Sequence, residues 1–143
     1  ALVAEKMGNF EVMERLLRAL IAAKPDYHHA YNALGYSLAD RNIRLAEARA
    51  LINRALTYAP DDPFIADSLA WVEFRSGNAA EALRLLKNAF QARPDAEIAA
   101  HLGEVLWTMG EREQAGAIWQ EGVGLNPQNE TLRETMRRLR GSP

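Results

Sequence analysis

The sequence contains no cysteine, which excludes disulfide bonds and thiol chemistry without identifying a cellular compartment. It also lacks any apolar run near the roughly 18 residues that a membrane-spanning helix needs. Residues 1–4, Ala-Leu-Val-Ala, are too few for the core of a signal peptide. The formal net charge of -2 provides no general attraction to nucleic acid or to an anionic membrane. Neither is therefore a favoured partner.

Residues that carry chemistry are few and scattered. His28 and His29 are adjacent, and adjacent helical side chains point about 100° apart, so these two histidines cannot share one metal ion on a helix. His101 is better explained as a residue that packs in the core or lines a groove. Ser68 has Asp67 beside it but no histidine at the spacing of a known nucleophile motif. The sequence predicts no enzyme activity, no cofactor and no metal site.

Residues 62–94 form a complete unit of two predicted helices. Asp62 and Pro63 are typical of the first turn of a helix, and Gly77 suits the left-handed conformation that ends one. Asn78 is then the expected N-cap of a second helix, with Glu81 completing a capping box. Two amphipathic helices joined by a tight turn predict an antiparallel pair, which cannot bury its apolar faces alone.

The same unit recurs along the chain. Pro25, Pro60, Pro94 and Pro127 are separated by 35, 34 and 33 residues. Matching offsets from these prolines give small and apolar residues in successive copies: Leu34, Gly35, Ala48, Ile52 and Ala55; Leu69, Ala70, Ala82, Leu86 and Ala89; and Leu102, Gly103, Ala115, Trp119 and Gly122. Leu34 and Gly35 sit one place further back than their counterparts, because the turn at residues 40–44 carries one extra residue. Asn42 takes the place of the helix-ending glycine in one copy. The first copy begins at Ala1, before it is complete, which suggests a fragment of a longer protein.

This period of about 34 residues resembles the tetratricopeptide repeat, with its Leu-Gly pair, later alanine, large residue and proline. The resemblance implies an all-α fold: a right-handed α-solenoid of antiparallel helix pairs with a C-terminal capping helix. The predicted organisation is a single array, with residues 1–27 as a partial repeat, residues 28–62, 63–95 and 96–129 as full repeats, and residues 130–140 as the capping helix.

Several local features follow from this organisation. Residues up to about 7 are expected to be the remnant of a helix that Gly8 ends, with residues 9–23 as its partner. Asp26, Asp95 and Asn129 are predicted N-caps. The last helix should pack on residues 112–123 without touching a ligand, with Arg133, Arg137, Arg138 and Arg140 on its outer face.

Glu73 stands where the other repeats have apolar residues, so it should reach solvent or pair with Arg84 or Arg41.

The first helix of each pair is expected to line the concave surface that solenoids use for binding. Residues at i, i+4 and i+7 on the face opposite the core predict an aromatic, mildly acidic groove. The candidates for binding a partner are Asn32, Tyr36, Asp67, Trp71, Phe74, Glu104 and Trp107. Tyr36 and Trp71 lie nearer the centre of this groove. Phe74 and Trp107 equally fit a second interpretation, in which their rings fill gaps between repeats.

The predicted function is a protein interaction scaffold or adaptor that holds an extended peptide or a partner's surface. Its groove lacks the lysine and asparagine set of the repeat proteins that clamp a terminal carboxylate, with Asn32 as the remnant. Residues 33–40, 59–63 and 67–71 resemble the C-terminal arrays of Gram-negative envelope proteins. Several of those are outer-membrane lipoproteins facing the periplasm, which act in protein assembly or as protease adaptors. The resemblance implies the periplasmic side of the outer membrane.

An alternative function is a structural or self-associating spacer with no peptide ligand. The incomplete first unit would expose an apolar edge at Phe10, Leu16 and Leu17. Such an edge favours a homodimer.

Overall fold

The structure is a computed structural model that describes the backbone of residues 2–141 and the side chains of residues 9–141. Within this range the chain forms eight helices and no strands, which confirms the all-α prediction. The helices are α1 (Leu2–Ala23), α2 (His28–Asp40), α3 (Leu45–Tyr58), α4 (Pro63–Arg75), α5 (Ala79–Ala92), α6 (Ala96–Thr108), α7 (Arg112–Leu125) and α8 (Glu130–Arg140).

The helices pack as consecutive pairs that stack on one another. Helices α2 and α3, α4 and α5, and α6 and α7 form the three pairs. The first helices α2, α4 and α6 also pack in sequence, and α8 continues this row by packing on α6. The result is the solenoid that the 34-residue period predicts, with a row of first helices along one side.

Most predicted helix ends are confirmed. The Asp62 carboxylate accepts a hydrogen bond from the Phe64 amide (2.8 Å), and Asp95 accepts one from the Glu97 amide (2.9 Å). The Asn129 side chain accepts one from the Leu132 amide at 2.9 Å. The predicted left-handed stops at Asn42 and Gly77 have φ values of 58° and 93°. These caps satisfy backbone groups that the ends of a helix leave unpaired.

The predicted N-cap at Asp26 is wrong, and the one at Asn78 is right in position but lacks its side-chain bond. Asp26 lies in the turn that follows Lys24, so the N-cap of α2 is Tyr27, whose side chain makes no capping bond. Asn78 does occupy the N-cap position of α5, but its side chain makes no capping bond there. Its backbone (φ −102°, ψ 63°) departs from the extended conformation of the residues that do cap. Glu81 pairs with Arg84 instead of completing a capping box.

The predicted break at Gly8 is also wrong. Helix α1 runs without interruption from Leu2 to Ala23. One glycine inside a helix costs only about 1 kcal/mol relative to alanine, which the hydrogen bonds of a 22-residue helix offset. Gly8 therefore does not end a helix here, although Gly77 does so at the matching place in a complete pair.

Glycine permits close contact between the helices of a pair. A Cβ atom added at Gly103 would lie 2.0 Å from Nε1 of the fully buried Trp119. At the matching position, Gly35, it would lie 2.6 Å from Cγ1 of Ile52. The Leu-Gly pairs of the sequence thus mark the positions where a large side chain of the second helix packs directly on the backbone of the first.

Glu73 pairs with a basic side chain as expected, but with a different one. Arg49 of α3 donates from Nε to a Glu73 carboxylate oxygen at 3.0 Å and also from Nη2. Arg49 reaches Glu73 because α3 packs against α4. Arg84 is paired with Glu81, and the guanidinium of Arg41 lies over the Phe10 ring.

Helix α8 has the features of a cap but not the predicted position. Leu132 and Met136 are buried, whereas Arg133 and Arg137 are exposed. The helix packs mainly against α6 rather than α7, because it takes the place of a further first helix. Arg138 accordingly turns toward Glu104 of α6 instead of pointing outward.

The contact between Gly103 and Trp119 predicts a difference between two glycine substitutions. Gly103→Ala forces a methyl group into the buried indole, so the free energy of unfolding should fall by about 1 to 3 kcal/mol in a urea titration. Gly124→Ala, in α7 with no atom within 4 Å of the added Cβ, should raise it by about 0.5 to 1 kcal/mol. Equal midpoints for the two variants would contradict the close packing.

Candidate functional site

Two adjoining pockets lie along the row of first helices. The first, here called the apolar pocket, has a volume of about 440 Å³. It is lined by Phe10, Met13, Asn32, Ala33, Tyr36, Ser37, Asp40, Phe64, Asp67, Ser68 and Glu97. The second, here called the polar pocket, has a volume of about 650 Å³. It is lined by Tyr36, Asp40, Trp71, Arg75, His101, Glu104, Glu130, Thr131, Glu134, Thr135 and Arg138. Tyr36 and Asp40 line both pockets, so the two pockets adjoin, and together they are here called the groove.

A chain of hydrogen bonds crosses the groove between the two pockets. Nδ1 of His101 lies 2.8 and 3.0 Å from the two carboxylate oxygens of Asp67, and its Nε2 lies 3.1 Å from the Tyr36 hydroxyl. The three residues come from α2, α4 and α6. A single imidazole therefore connects three successive repeats at the base of the groove.

Burial and nearby carboxylates control the protonation of this chain. Burial raises the pKa of the Tyr36 phenol, and the negative charges of Asp40, Glu97 and Asp67 raise it further. The hydroxyl thus keeps its proton and can donate a hydrogen bond to Nε2 of His101 when the imidazole is neutral. For His101 itself burial lowers the pKa, but the charge and hydrogen bond of Asp67, with the charges of Glu97 and Asp40, outweigh it and raise the pKa above its ordinary value.

Trp71 is more a packing residue than an open contact surface. Its side chain is only 4% exposed, and its ring lies 4.3 Å from the His101 ring between centroids. The indole Nε1 donates to a carboxylate oxygen of Asp40 at 3.2 Å. Arg75 donates to the backbone oxygens of Ala39 (3.1 Å) and Asp40 (2.6 Å), which fixes the end of α2 against α4.

Helices α6 and α8 are joined by two further side-chain contacts. Arg138 donates to the buried Glu104 carboxylate at 2.5 Å, and the Thr131 hydroxyl donates to Oε1 of Glu97 at 2.9 Å. Through these residues α8 forms part of the wall of the polar pocket. The expectation that the last helix stays outside the groove is therefore wrong.

The structure places five of the seven predicted groove residues on pocket walls. Asn32, Tyr36 and Asp67 line the apolar pocket, and Trp71 and Glu104 line the polar pocket. Phe74 instead packs against both apolar cores of the stack. Trp107 lies between the ring of Trp119, 5.5 Å away, and the guanidinium of Arg112, 4.4 Å away. Whether any of the seven binds a partner stays a prediction.

Sequence reasoning missed two groups of pocket residues. Phe64 and Glu97 occupy the same repeat position, one helical turn before Asp67 and Ala100, so extending the predicted stripe by one turn would have found them. Phe10 and Met13 belong to α1, and the α8 residues belong to the predicted cap. Both helices were treated as outside the groove, so the repeat pattern gave no signal for them.

The groove is suited to hydrogen bonding and stacking. Among the residues that the structure describes, no three histidine or acidic side chains are grouped to hold a metal ion. No helix of the described range is both long enough and apolar enough to cross a membrane.

A stack of antiparallel helix pairs with a groove along its first helices defines an α-solenoid repeat protein. Two family models, each described as tetratricopeptide repeat, match residues 1–63 and residues 73–139. The chain belongs to the tetratricopeptide repeat family. Members of this family are in general non-catalytic scaffolds that bind protein or peptide partners.

Similar proteins agree with this assignment. A TPR repeat-containing protein of Pseudomonas aeruginosa is 49% identical over 142 residues, which cover 99% of this chain and 24% of the relative. The chain thus spans about a quarter of that relative's length.

Two solved structures show the same fold. The crystal structure of a thermophilic TPR protein of Thermus thermophilus has a TM-score of 0.78 at 22% identity, covering 94% of this chain and 74% of that one. YrrB, described as a TPR protein with an unusual peptide-binding site, has a TM-score of 0.64 at 20% identity, covering 83% and 61%. At these identities the likeness concerns the fold alone.

The raised pKa of His101 predicts a pH dependence of stability. The folded state binds the proton more tightly than the unfolded state, whose histidine has an ordinary pKa of 6.5. The resulting stabilisation is complete below that value and is lost as the pH rises through the folded pKa. The free energy of unfolding of the wild type, measured by urea titration relative to His101→Gln, should therefore fall as the pH rises above the ordinary value of 6.5 and through the folded pKa.

Two aspartate variants test the cause of this dependence. Asp67→Asn removes the carboxylate that holds the proton on His101, so the decrease in the free energy of unfolding with rising pH should become smaller. Asp61→Asn removes an exposed carboxylate from the neighbouring turn and should leave the pH dependence of the free energy of unfolding unchanged. Parallel pH profiles for the wild type and His101→Gln would show that the buried pair does not retain a proton.

Proposed function

We propose that the protein is an interaction scaffold or adaptor whose concave groove holds an extended segment of a partner protein. The observation that carries the proposal is the pair of adjoining pockets, which share Tyr36 and Asp40 and run along α2, α4, α6 and α8. An extended segment can place side chains in both pockets at once. A compact small molecule would occupy only one of them.

The groove is built to bind without large rearrangement. His101, Asp67 and Tyr36 join three repeats, and Glu104 with Arg138 joins the last two helices of the row. Because these contacts are all made within the chain, we expect the walls to be in place before binding. Preorganisation of this kind reduces the entropy that binding costs.

The comparisons support a peptide or protein partner. YrrB, which shares the fold, is described as having an unusual peptide-binding site. The resemblance of residues 33–40, 59–63 and 67–71 to arrays of envelope proteins supports a finer proposal. The partner would then be a protein in bacterial envelope assembly or protease targeting, on the periplasmic side of the outer membrane. Cell fractionation of the full-length protein tests that location.

A second candidate is self-association through α1, with no peptide ligand. Leu16 is 64% exposed and Val12 is 44% exposed, one turn apart on this helix. The apolar edge is smaller than the sequence predicted, because Phe10 lines the apolar pocket and Leu17 packs against the core of the neighbouring repeat. Mass measurement in solution at several concentrations tests this candidate, and Leu16→Ser should abolish any dimer that forms through the edge.

Phe64 provides a test of the groove that leaves the core intact. Its ring lines the apolar pocket and is 38% exposed, so Phe64→Ala removes contact area from a bound segment without leaving a core cavity. For peptides selected from a random display library on the intact chain, affinity should fall by about 2 kcal/mol, roughly thirtyfold. Isothermal titration measures the affinity, and the urea midpoint should hardly change.

Tyr58→Ala is the matched control. Tyr58 is 40% exposed, similar to Phe64, but it lies at the end of α3 and lines neither pocket. Its loss should leave peptide affinity unchanged. Equal effects of the two substitutions on affinity would contradict binding in the groove.

A further inference from the structure

The apolar pocket is lined by apolar side chains and also by residues with polar side chains. Phe10 and Met13 of α1 and Phe64 of α4 form the apolar part of the wall. Such a surface suits the aliphatic stem of a long side chain. Lysine and arginine bury their stems in this way while their charged ends seek polar partners.

Oxygen atoms of the pocket residues lack hydrogen-bond partners. Oδ1 of Asn32, Oγ of Ser37 and Oε2 of Glu97 are buried, and none has a partner within the described part of the chain. The other Glu97 oxygen is held by Thr131. Buried acceptors without donors are unfavourable, so a ligand group rich in N–H donors would be stabilised if these side chains turned their oxygens toward it.

The charge of the pocket favours a cation. Three carboxylates line it, those of Asp40, Asp67 and Glu97, and none of its described lining residues is basic. Both oxygens of Asp67 are engaged by His101, whereas Asp40 and Glu97 each use only one oxygen, toward Trp71 and Thr131, and keep the other for a ligand. Arg41 lies beside the pocket without lining it: its guanidinium is over the Phe10 ring, its Nε donates to the Ser37 backbone oxygen, and its Nη2 is buried without a partner in the described part of the chain. Its charge opposes that of the carboxylates, so the three carboxylates exceed the one neighbouring guanidinium.

The polar pocket differs in this respect. It contains the guanidinium groups of Arg75 and Arg138, which lie among its carboxylates. These groups would repel a second cation at short range. A cationic side chain therefore has its more favourable position in the apolar pocket.

We propose that the apolar pocket takes the side chain of an arginine or lysine residue of the bound segment, with the stem against Phe10 and Phe64 and the charged end at Glu97 and Asp40. This inference rests on the proposed function, because it names one feature of the segment that the groove holds. The proposed recognition element is a basic residue in the bound segment. Residues next to it in the segment would enter the polar pocket.

The test uses peptides of about 12 residues selected from a random display library on the intact chain. In each peptide that binds, every arginine or lysine is replaced in turn by norleucine, which keeps the stem and removes the charge. One such replacement should weaken binding to the wild type by about tenfold or more, as removal of a paired charge does at interfaces. Glu97→Gln should weaken the original peptide by a similar factor.

A double-mutant cycle locates the basic residue. Glu97→Gln should have less than about a twofold effect on the norleucine peptide, because the interaction is already lost. Glu130→Gln is the matched control, since it removes one negative charge from an exposed residue of the polar pocket. It should leave the effect of the norleucine replacement unchanged. Urea titrations confirm that both variants are folded.

The outcomes separate this inference from the proposed function. Selected peptides whose binding depends on Phe64 but not on a basic residue would overturn the inference and leave the groove function standing. A basic residue that couples to Glu130 instead of Glu97 would do the same. A library that yields no peptide dependent on Phe64 would contradict both.

Discussion

Each helix pair of this chain can bury its apolar faces only against its neighbours, and the rest of the structure depends on that constraint. Within a pair, Trp119 packs on the backbone at Gly103; between neighbours, Leu132 packs against Gly122, where a Cβ would lie 2.9 Å from a Leu132 methyl carbon. Contacts this close leave little freedom in how one helix is placed on the next. The row of first helices, and with it the groove, is therefore a consequence of core packing.

The fixed stack also determines which polar side chains meet on the concave side. The contacts of Asp67 with His101, of Glu97 with Thr131 and of Glu104 with Arg138 each join residues 34 positions apart. They are therefore pairs at matching positions of successive repeats. A buried imidazole and carboxylate are stable only when their partners are placed accurately, because unpaired polar groups are costly in the interior.

The sequence predicted the features that depend on local chemistry. The caps at Asp62, Asp95 and Asn129 and the stops at Asn42 and Gly77 require only a short segment, and all are present. Three local predictions failed, the side-chain caps at Asp26 and Asn78 and the stop at Gly8. The other missed features depend on distant parts of the chain. Tyr36 and His101 are 65 residues apart, and their hydrogen bond follows from the rotation between repeats, which no period reveals. The role of α8 in the groove likewise depends on its packing against α6.

The polar contacts between repeats limit which groove residues can specify a partner. Trp71, Asp67 and Glu104 are each less than 7% exposed and already hold other side chains, so changing them would disturb the stack along with the groove. Phe64 and Glu97 occupy one repeat position, and neither the Phe64 ring nor Oε2 of Glu97 is needed to join the repeats. Substitution of Phe64, or of Glu97 by a residue that still accepts from Thr131, can alter what the groove accepts while the contacts that build the groove remain. Specificity and stability thus reside on different turns of the same helices.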